Sequence, residues 1–240
     1  MKLIITKDYE EMSKKAYTEF SSIINKIEEP KIGFATGSTP IGFYKEIVNS
    51  YQKNGVSYEN LKAYNLDEYI GLNQDNQHRY NYFLNHHIFN KINVKKENID
   101  IILDNNNPIL MECDRYSDIL SKNPLDVQIL GLGANGHVGF NEPGTKFNSK
   151  TRVVELNEVT IKDNSRLFSN IDEVPKHAIT VGITDILNAK NIILLASGIN
   201  KSEAVKKMIA GEISELCPAS YLQNHNNVTV IIDQEAASKL

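Results

Sequence analysis

Residues 131 to 144 read Gly131-Leu132-Gly133-Ala134-Asn135-Gly136-His137-Val138-Gly139-Phe140-Asn141-Glu142-Pro143-Gly144, and within this run stand an amide (Asn135), an imidazole (His137) and a carboxylate (Glu142). Together they make a general acid/base set in one loop. The glycines let backbone approach a ligand closely and allow positive φ. The run follows Val127-Gln128-Ile129-Leu130, an apolar stretch with the look of a buried strand. The carboxyl edge of a parallel sheet is where open α/β folds place ligands. Any one of the three residues fits an ordinary glycine-rich turn. The three together, directly after a strand, point to function.

Two further segments could serve the same crevice. Thr36-Gly37-Ser38-Thr39-Pro40 lies between a strand and a helix pattern. Its hydroxyls and free backbone N–H groups can hold a phosphate at a helix N-terminus, or Ser38 or Thr39 can simply cap the helix. It is not a P-loop, because the Gly-Lys-Ser/Thr ending is absent. Asn65-Leu66-Asp67-Glu68-Tyr69 ends a strand, where Asp67 could act as a general base or stand as a solvated loop acid. Arg166 could make a bidentate phosphate contact. Lys201, after the most apolar strand, could neutralise a phosphate or remain solvated. The histidines show no metal spacing; His86 and His87 are adjacent and would not share a helical face. No metal site is expected.

The elements that must position these groups alternate along the chain. Strand patterns fall at Leu3–Thr6, Lys31–Ala35, Leu61–Leu66, Asp126–Leu130, Asn191–Ala196 and Val228–Ile232. Helical spacing runs from Tyr9 to Ile27 behind a capping Asp8, and over Ile41–Lys53, Tyr80–Phe89, Leu110–Leu120 and Lys201–Ala210. Strands separated by helices imply βαβ units and a mostly parallel sheet covered on both faces. Asp104–Pro108 reads as an exposed loop. Leu156 to Pro175 is polar and weakly periodic, consistent with a mobile lid or with short surface helices.

The chain has 240 residues, 41% hydrophobic, with 26 basic and 30 acidic side chains and a net charge of −4. That is enough to bury a full core, and it leaves no basic excess for a nucleic-acid partner. The two cysteines, Cys113 and Cys217, form no disulfide framework. The N-terminus reads as a first strand, not a signal peptide. No apolar run approaches the roughly 18–20 residues of a membrane span. A reduced, cytoplasmic protein without membrane attachment is expected.

Taken together, Ala35-Thr36-Gly37-Ser38-Thr39-Pro40, Asn65-Leu66-Asp67-Glu68-Tyr69-Ile70-Gly71-Leu72 and Gly133 through Pro143 resemble the glucosamine-6-phosphate deaminase (glucosamine/galactosamine-6-phosphate isomerase) family. The resemblance continues through Ser149–Arg152, Asn164–Phe168, Val174–Gly182 and Pro218-Ala219-Ser220, covering nearly the whole chain. It implies one α/β domain over residues 1–240, a Rossmann-like three-layer fold with a mostly parallel central sheet flanked by helices. It also implies conversion of D-glucosamine 6-phosphate and water to D-fructose 6-phosphate and ammonia, an isomerising deamination of the hydrolase type in amino-sugar catabolism, with no cofactor.

By the same resemblance His137 opens the pyranose ring as acid/base, with Asn135 and Glu142 in its group, Glu142 orienting and charging the imidazole. Asp67 moves the proton between carbons 2 and 1. Thr36, Gly37, Ser38, Thr39, Arg166 and Lys201 match phosphate-holding positions, and residues 156–175 overlap the closing segment. Ring opening suits a side chain that titrates near neutrality, as histidines do.

Two rivals share the general design. A 6-phosphogluconolactonase would hydrolyse a lactone and needs no base for carbon-bound protons. A non-enzymatic sugar-phosphate sensor would need a DNA-reading segment for which the chain shows no room. The chain departs from some members of the resembled family in carrying Asn135 for Asp. It also has Val154 where the allosterically regulated members carry Lys beside an arginine matched by Arg152, and it stops soon after Ile231-Ile232-Asp233. A monomer or simple homo-oligomer with a sugar phosphate as its partner is expected. The expected saturation curve is hyperbolic; sigmoidal kinetics relieved by N-acetylglucosamine 6-phosphate would refute that.

Overall fold

The protein is described by a computed structural model over residues 1–103, 108–157, 160, 161, 165, 168 and 170–240. The polar stretch at 104–107 and Arg166 lie outside the described residues, as do 158, 159, 162–164, 167 and 169. In chain order the elements are β1 (Lys2–Thr6), α1 (Tyr9–Ile24), β2 (Lys31–Phe34), α2 (Ile41–Asn54), β3 (Lys62–Asn65) and β4 (Asp67–Tyr69). They continue with α3 (Tyr80–His87), β5 (Ile99–Asp100), α4 (Ile109–Lys122), β6 (Val127–Gly131), β7 (Arg152–Glu155) and β8 (His177–Thr180). Then come α5 (Ile183–Leu187), β9 (Ile192–Ala196), α6 (Ser202–Ala210) and β10 (Val228–Asp233).

Local chemistry explains the starts and stops. Asp8 accepts a hydrogen bond from the Glu11 N–H at 2.9 Å, which satisfies an orphan donor at the start of α1, and Glu11 reaches back to accept from the Lys7 N–H at 2.7 Å. Met12, Ala16, Phe20 and Ile24 then share the buried face. Apolar spacing alone carries this helix on to Ile27, but it ends at Ile24. Gly55, left-handed at φ 69°, closes α2.

The central sheet has seven strands in the order β1-β10-β9-β6-β2-β3-β5. Every pairing in it is parallel. Side chains on β9 and β10 alternate between its two faces: Ile192, Leu194, Ala196, Val228, Val230 and Ile232 pack into one core, and Ile193, Leu195 and Ile231 into the other. This is the period-2 pattern of strands buried on both sides, and it gives the expected helix–sheet–helix sandwich. From β2 the chain moves outward to β3 and β5, then returns to place β6, β9 and β10 on the opposite side. The carboxyl ends of β2 and β6 therefore flank a topological switch point.

A second sheet, β4-β8-β7, is antiparallel, with Asp67 and Arg152 both opposite Thr180. Sequence periodicity misses it because its strands are only three or four residues long. It corrects the reading of Leu61–Leu66 as one strand ending before a loop. The chain pairs with β2 through Asn65, then swings at Leu66, whose N–H donates to Phe34 and whose carbonyl accepts from Val181. The crossing is pinned by buried Asn65 and Tyr116. The Tyr116 hydroxyl accepts from the Asn65 N–H and donates to the Asn65 carbonyl, both at 2.9 Å. Asn65 Nδ2 in turn donates to the Asp67 carbonyl at 2.8 Å.

Replacing Tyr116 by Phe leaves these buried groups short of a partner. A loss of about 1–3 kcal/mol in unfolding free energy is expected in a denaturant titration; an unchanged midpoint would show that the hydroxyl does not hold the crossing.

Candidate active site

At the switch point a cleft of about 490 Å³ opens, lined by the loop after β2, the start of β4, the loop after β6 and the turn after β9. It gathers Thr36, Gly37, Ser38, Thr39, Asp67, His137 and Lys201. Asn135 and Glu142 stand behind His137 and reach it through hydrogen bonds. Of the sequence-predicted residues, Arg166 alone falls outside the described residues.

The loop after β6 folds tightly on itself. The Gly133 N–H donates to the His137 carbonyl at 2.9 Å, and the Gly136 N–H to the Gly133 carbonyl at 3.0 Å. A Cβ on Gly133 would fall 2.3 Å from the His137 ring, so glycine is the residue that lets the imidazole lie there. At Gly139, left-handed at φ 59°, the chain passes within contact of Asp67; a Cβ would lie 3.3 Å from its Oδ2. The Phe140 N–H then donates to Thr180 Oγ1 at 3.0 Å, which ties the loop to the second sheet.

The hydrogen bonds around His137 fix its tautomer. Asn135 Nδ2 donates to Glu142 Oε2 at 2.7 Å; since a carboxylate can only accept, this orients the amide. Asn135 Oδ1 is thus the acceptor 2.7 Å from His137 Nδ1, and Nδ1 carries the proton. Nε2 is left to exchange a proton with a ligand. Glu142 Oε1 lies 3.4 Å from Nδ1 and accepts from the Thr160 hydroxyl at 2.9 Å. Burial works to raise the Glu142 pKa, but the hydrogen bond and charge of His137, with donation from Asn135 and Thr160, outweigh it and bring it to about 2.

Asp67 is the opposite case. It is 5% exposed, and its Oδ1 has no hydrogen-bond partner among the described residues. Burial, helped by the nearby Glu68 charge, lifts its pKa from 3.8 to about 8. It is no solvated loop acid. Glu68, on the same strand and fully buried, accepts instead from the N–H groups of Tyr69, Tyr80 and Asn81 at 2.9 to 3.0 Å. That anchors the start of α3 and brings Tyr80 to the cleft wall, where its ring lies 7° from parallel to Phe140.

At the other end of the cleft, Pro40 gives α2 no side-chain cap, and the Ile41 N–H donates to the Ser38 carbonyl at 3.4 Å. Tyr9 braces that loop, its hydroxyl donating to the Ser38 carbonyl at 3.1 Å and accepting from the Gly42 N–H at 2.7 Å. Lys201 ends a short 3-10 turn, Ile199–Lys201, ahead of α6. Asp233 secures the approach to it by accepting from the Gly198 N–H at 3.1 Å and from the Ser197 hydroxyl. Among the described residues, no three His, Cys, Asp or Glu side chains are grouped as metal ligands would be, and no helix is long and apolar enough to cross a membrane.

The sequence model of the glucosamine-6-phosphate isomerases/6-phosphogluconolactonase family matches residues 7–231. The chain belongs to this family. A Clostridium botulinum (strain Langeland) protein named glucosamine-6-phosphate deaminase is 48% identical over 241 residues, covering 100% of this chain and 99% of its own. One from Thermoanaerobacter sp. (strain X514), of the same name, is 47% identical and covers 99% of this chain and 94% of its own. Among solved structures, a monomeric glucosamine-6-phosphate deaminase superposes with a TM-score of 0.96 at 44% identity, covering 100% of both chains. A 6-phosphogluconolactonase from Trypanosoma cruzi, 20% identical with a TM-score of 0.77 over 100% of this chain and 96% of its own, shares the fold.

Tyr80, Phe140, Thr160 and Asn200 also line the cleft and escaped sequence reasoning. Tyr80 stands only in the helix pattern Tyr80–Phe89, Phe140 in the glycine-rich run, Asn200 beside Lys201 and Thr160 in the weakly periodic segment, and residue type alone marks none of them as cleft wall.

The cost of holding Asp67 in the cleft is measurable. Between about pH 4 and about pH 8 the folded carboxyl retains a proton that the unfolded chain has released, so this group lowers stability as pH rises through that window. Asp67→Asn is therefore expected to raise the thermal midpoint, by a margin that widens from about pH 4 to about pH 8 and then levels off. A margin independent of pH would show that Asp67 is not held protonated.

Proposed function

We propose that this protein is a glucosamine-6-phosphate deaminase, converting D-glucosamine 6-phosphate and water to D-fructose 6-phosphate and ammonia. The observation that carries the reading is Asp67: a buried carboxyl with an unpartnered oxygen, in the same cleft as a His–Asn–Glu relay and the hydroxyl-bearing Thr36–Thr39 loop. Lactone hydrolysis has no use for a buried carboxylate with an oxygen left without a donor. Proton transfer between adjacent carbons does, because a carboxylate without hydrogen bonds is a stronger base.

Each part of the cleft then has a task. The Thr36–Thr39 loop at the start of α2 and Lys201 hold the phosphate, where the loop hydroxyls and the helix dipole favour an anion. Arg166 adds a cation to that group. His137 Nε2 exchanges a proton with the pyranose ring oxygen as the ring opens, while Asn135 and Glu142 hold Nδ1 and stabilise the imidazolium. In its ionised form Asp67 takes the proton from carbon 2 of the open chain and returns it to carbon 1. Water then displaces ammonia at carbon 2. With Asn135 in place of Asp, only Glu142 lends full charge to the relay, and the amide serves as a bridge that donates to one partner and accepts from the other. The reading includes action as a single chain, as the similar solved deaminase does.

Purified protein given glucosamine 6-phosphate in the presence of chelator is expected to release ammonia and fructose 6-phosphate in equal amounts. His137→Gln should retain substrate binding and lower kcat by about 100-fold or more. Binding of the sugar phosphate without product release by the parent protein would refute the enzyme reading in favour of a sensor.

A further inference from the structure

Glu142 is held at both carboxylate oxygens, and the two holders come from different parts of the chain. Asn135, in the same loop as His137, donates to Oε2 at 2.7 Å. Thr160, from the segment between β7 and β8, donates its hydroxyl to Oε1 at 2.9 Å, and Oε1 is the oxygen 3.4 Å from His137 Nδ1. Thr160 is itself fixed in place. Its N–H donates to Asn157 Oδ1 at 2.7 Å, and the Ile161 N–H donates to the Asn157 carbonyl at 2.9 Å, the pattern of a residue capping the start of a helical turn. It also forms part of the cleft wall.

From this geometry we infer that Thr160 is a positioning residue for ring opening, its hydroxyl setting the plane of the Glu142 carboxylate beneath the imidazole. The inference rests on the deaminase reading above. A glutamate side chain tethered at one oxygen remains free to turn about its last torsion; tethered at both, it cannot. Without the Thr160 hydroxyl, Oε1 turns toward the Nδ1 proton and competes with Asn135 Oδ1 for it. The ring then tilts, and Nε2 is misplaced against the ring oxygen of the substrate. The effect falls on the chemical step, since Thr160 touches the reacting atoms only through Glu142 and His137. Thr160, on the chain between β7 and β8, is thereby a working part of the acid/base relay as well as of the cleft wall.

The test compares Thr160→Val, which keeps the shape and removes the hydroxyl, with Thr160→Ser, which keeps the hydroxyl, using glucosamine 6-phosphate as substrate. A hydrogen bond to a charged group sets the expected scale: kcat of Thr160→Val falls about 10- to 100-fold, with KM within about threefold of the parent. Thr160→Ser should restore kcat to within about threefold, and thermal midpoints should report that both variants fold. A Val variant with unchanged kcat, a loss confined to KM, or a Ser variant as impaired as Val would overturn the role of Thr160. A parent protein that releases no ammonia and no fructose 6-phosphate would instead overturn the deaminase reading itself.

Discussion

A carboxyl group kept out of water with an oxygen unpartnered is the constraint around which this molecule is arranged. Burying such a group costs free energy that folding must recover elsewhere. The recovery comes from the surroundings of Asp67. Its neighbour Glu68 is also buried, but takes three backbone N–H donors. Asn65 and Tyr116 satisfy each other on the approach. Thr180, opposite Asp67 in the second sheet, accepts the Phe140 N–H at its hydroxyl oxygen. Polar groups around the base are satisfied by one another, so that its Oδ1 stays without a donor.

The second constraint is electrostatic separation. The cleft holds two carboxylates with opposite environments. Glu142 is brought down to about 2 by His137, Asn135 and Thr160, and Asp67 is pushed up to about 8 by burial and by Glu68. Pairs of titratable groups driven apart in this way are how a single site divides acid/base duties. Here the division follows the reaction. A permanently ionised glutamate serves an imidazole that must gain and lose a proton. A reluctant aspartate serves a carbon acid, which needs a base strong enough to take its proton.

The parallel sheet supplies the geometry. Because the chain leaves β2 in one direction and returns on the other side at β6, two loops meet at the carboxyl edge without crossing. One loop leads into the start of α2 and the other carries the relay. The small antiparallel sheet then closes the third side by delivering Asp67 at the beginning of β4.

The sequence by itself determined the parallel α/β core, because alternating strand and helix periodicities are local properties of the chain. It also determined the candidate residues of the two loops, whose members lie within a few positions of one another: Thr36 to Thr39, and Asn135, His137 and Glu142. What it left open at each position was the environment. Asp67 reads as a base, a solvated acid or a helix cap until the pairing of β4 with β8 buries it. The antiparallel sheet joins β4 to β8 through residues more than a hundred positions apart, such as Asp67 with Thr180, and strands this short carry no periodicity. Thr160 becomes visible only when its hydroxyl is found on Glu142. Residue type and spacing specify which chemistry a chain can carry. Burial, partner and distance, which decide what each group does, arise when remote segments pack, and only the tertiary structure records them.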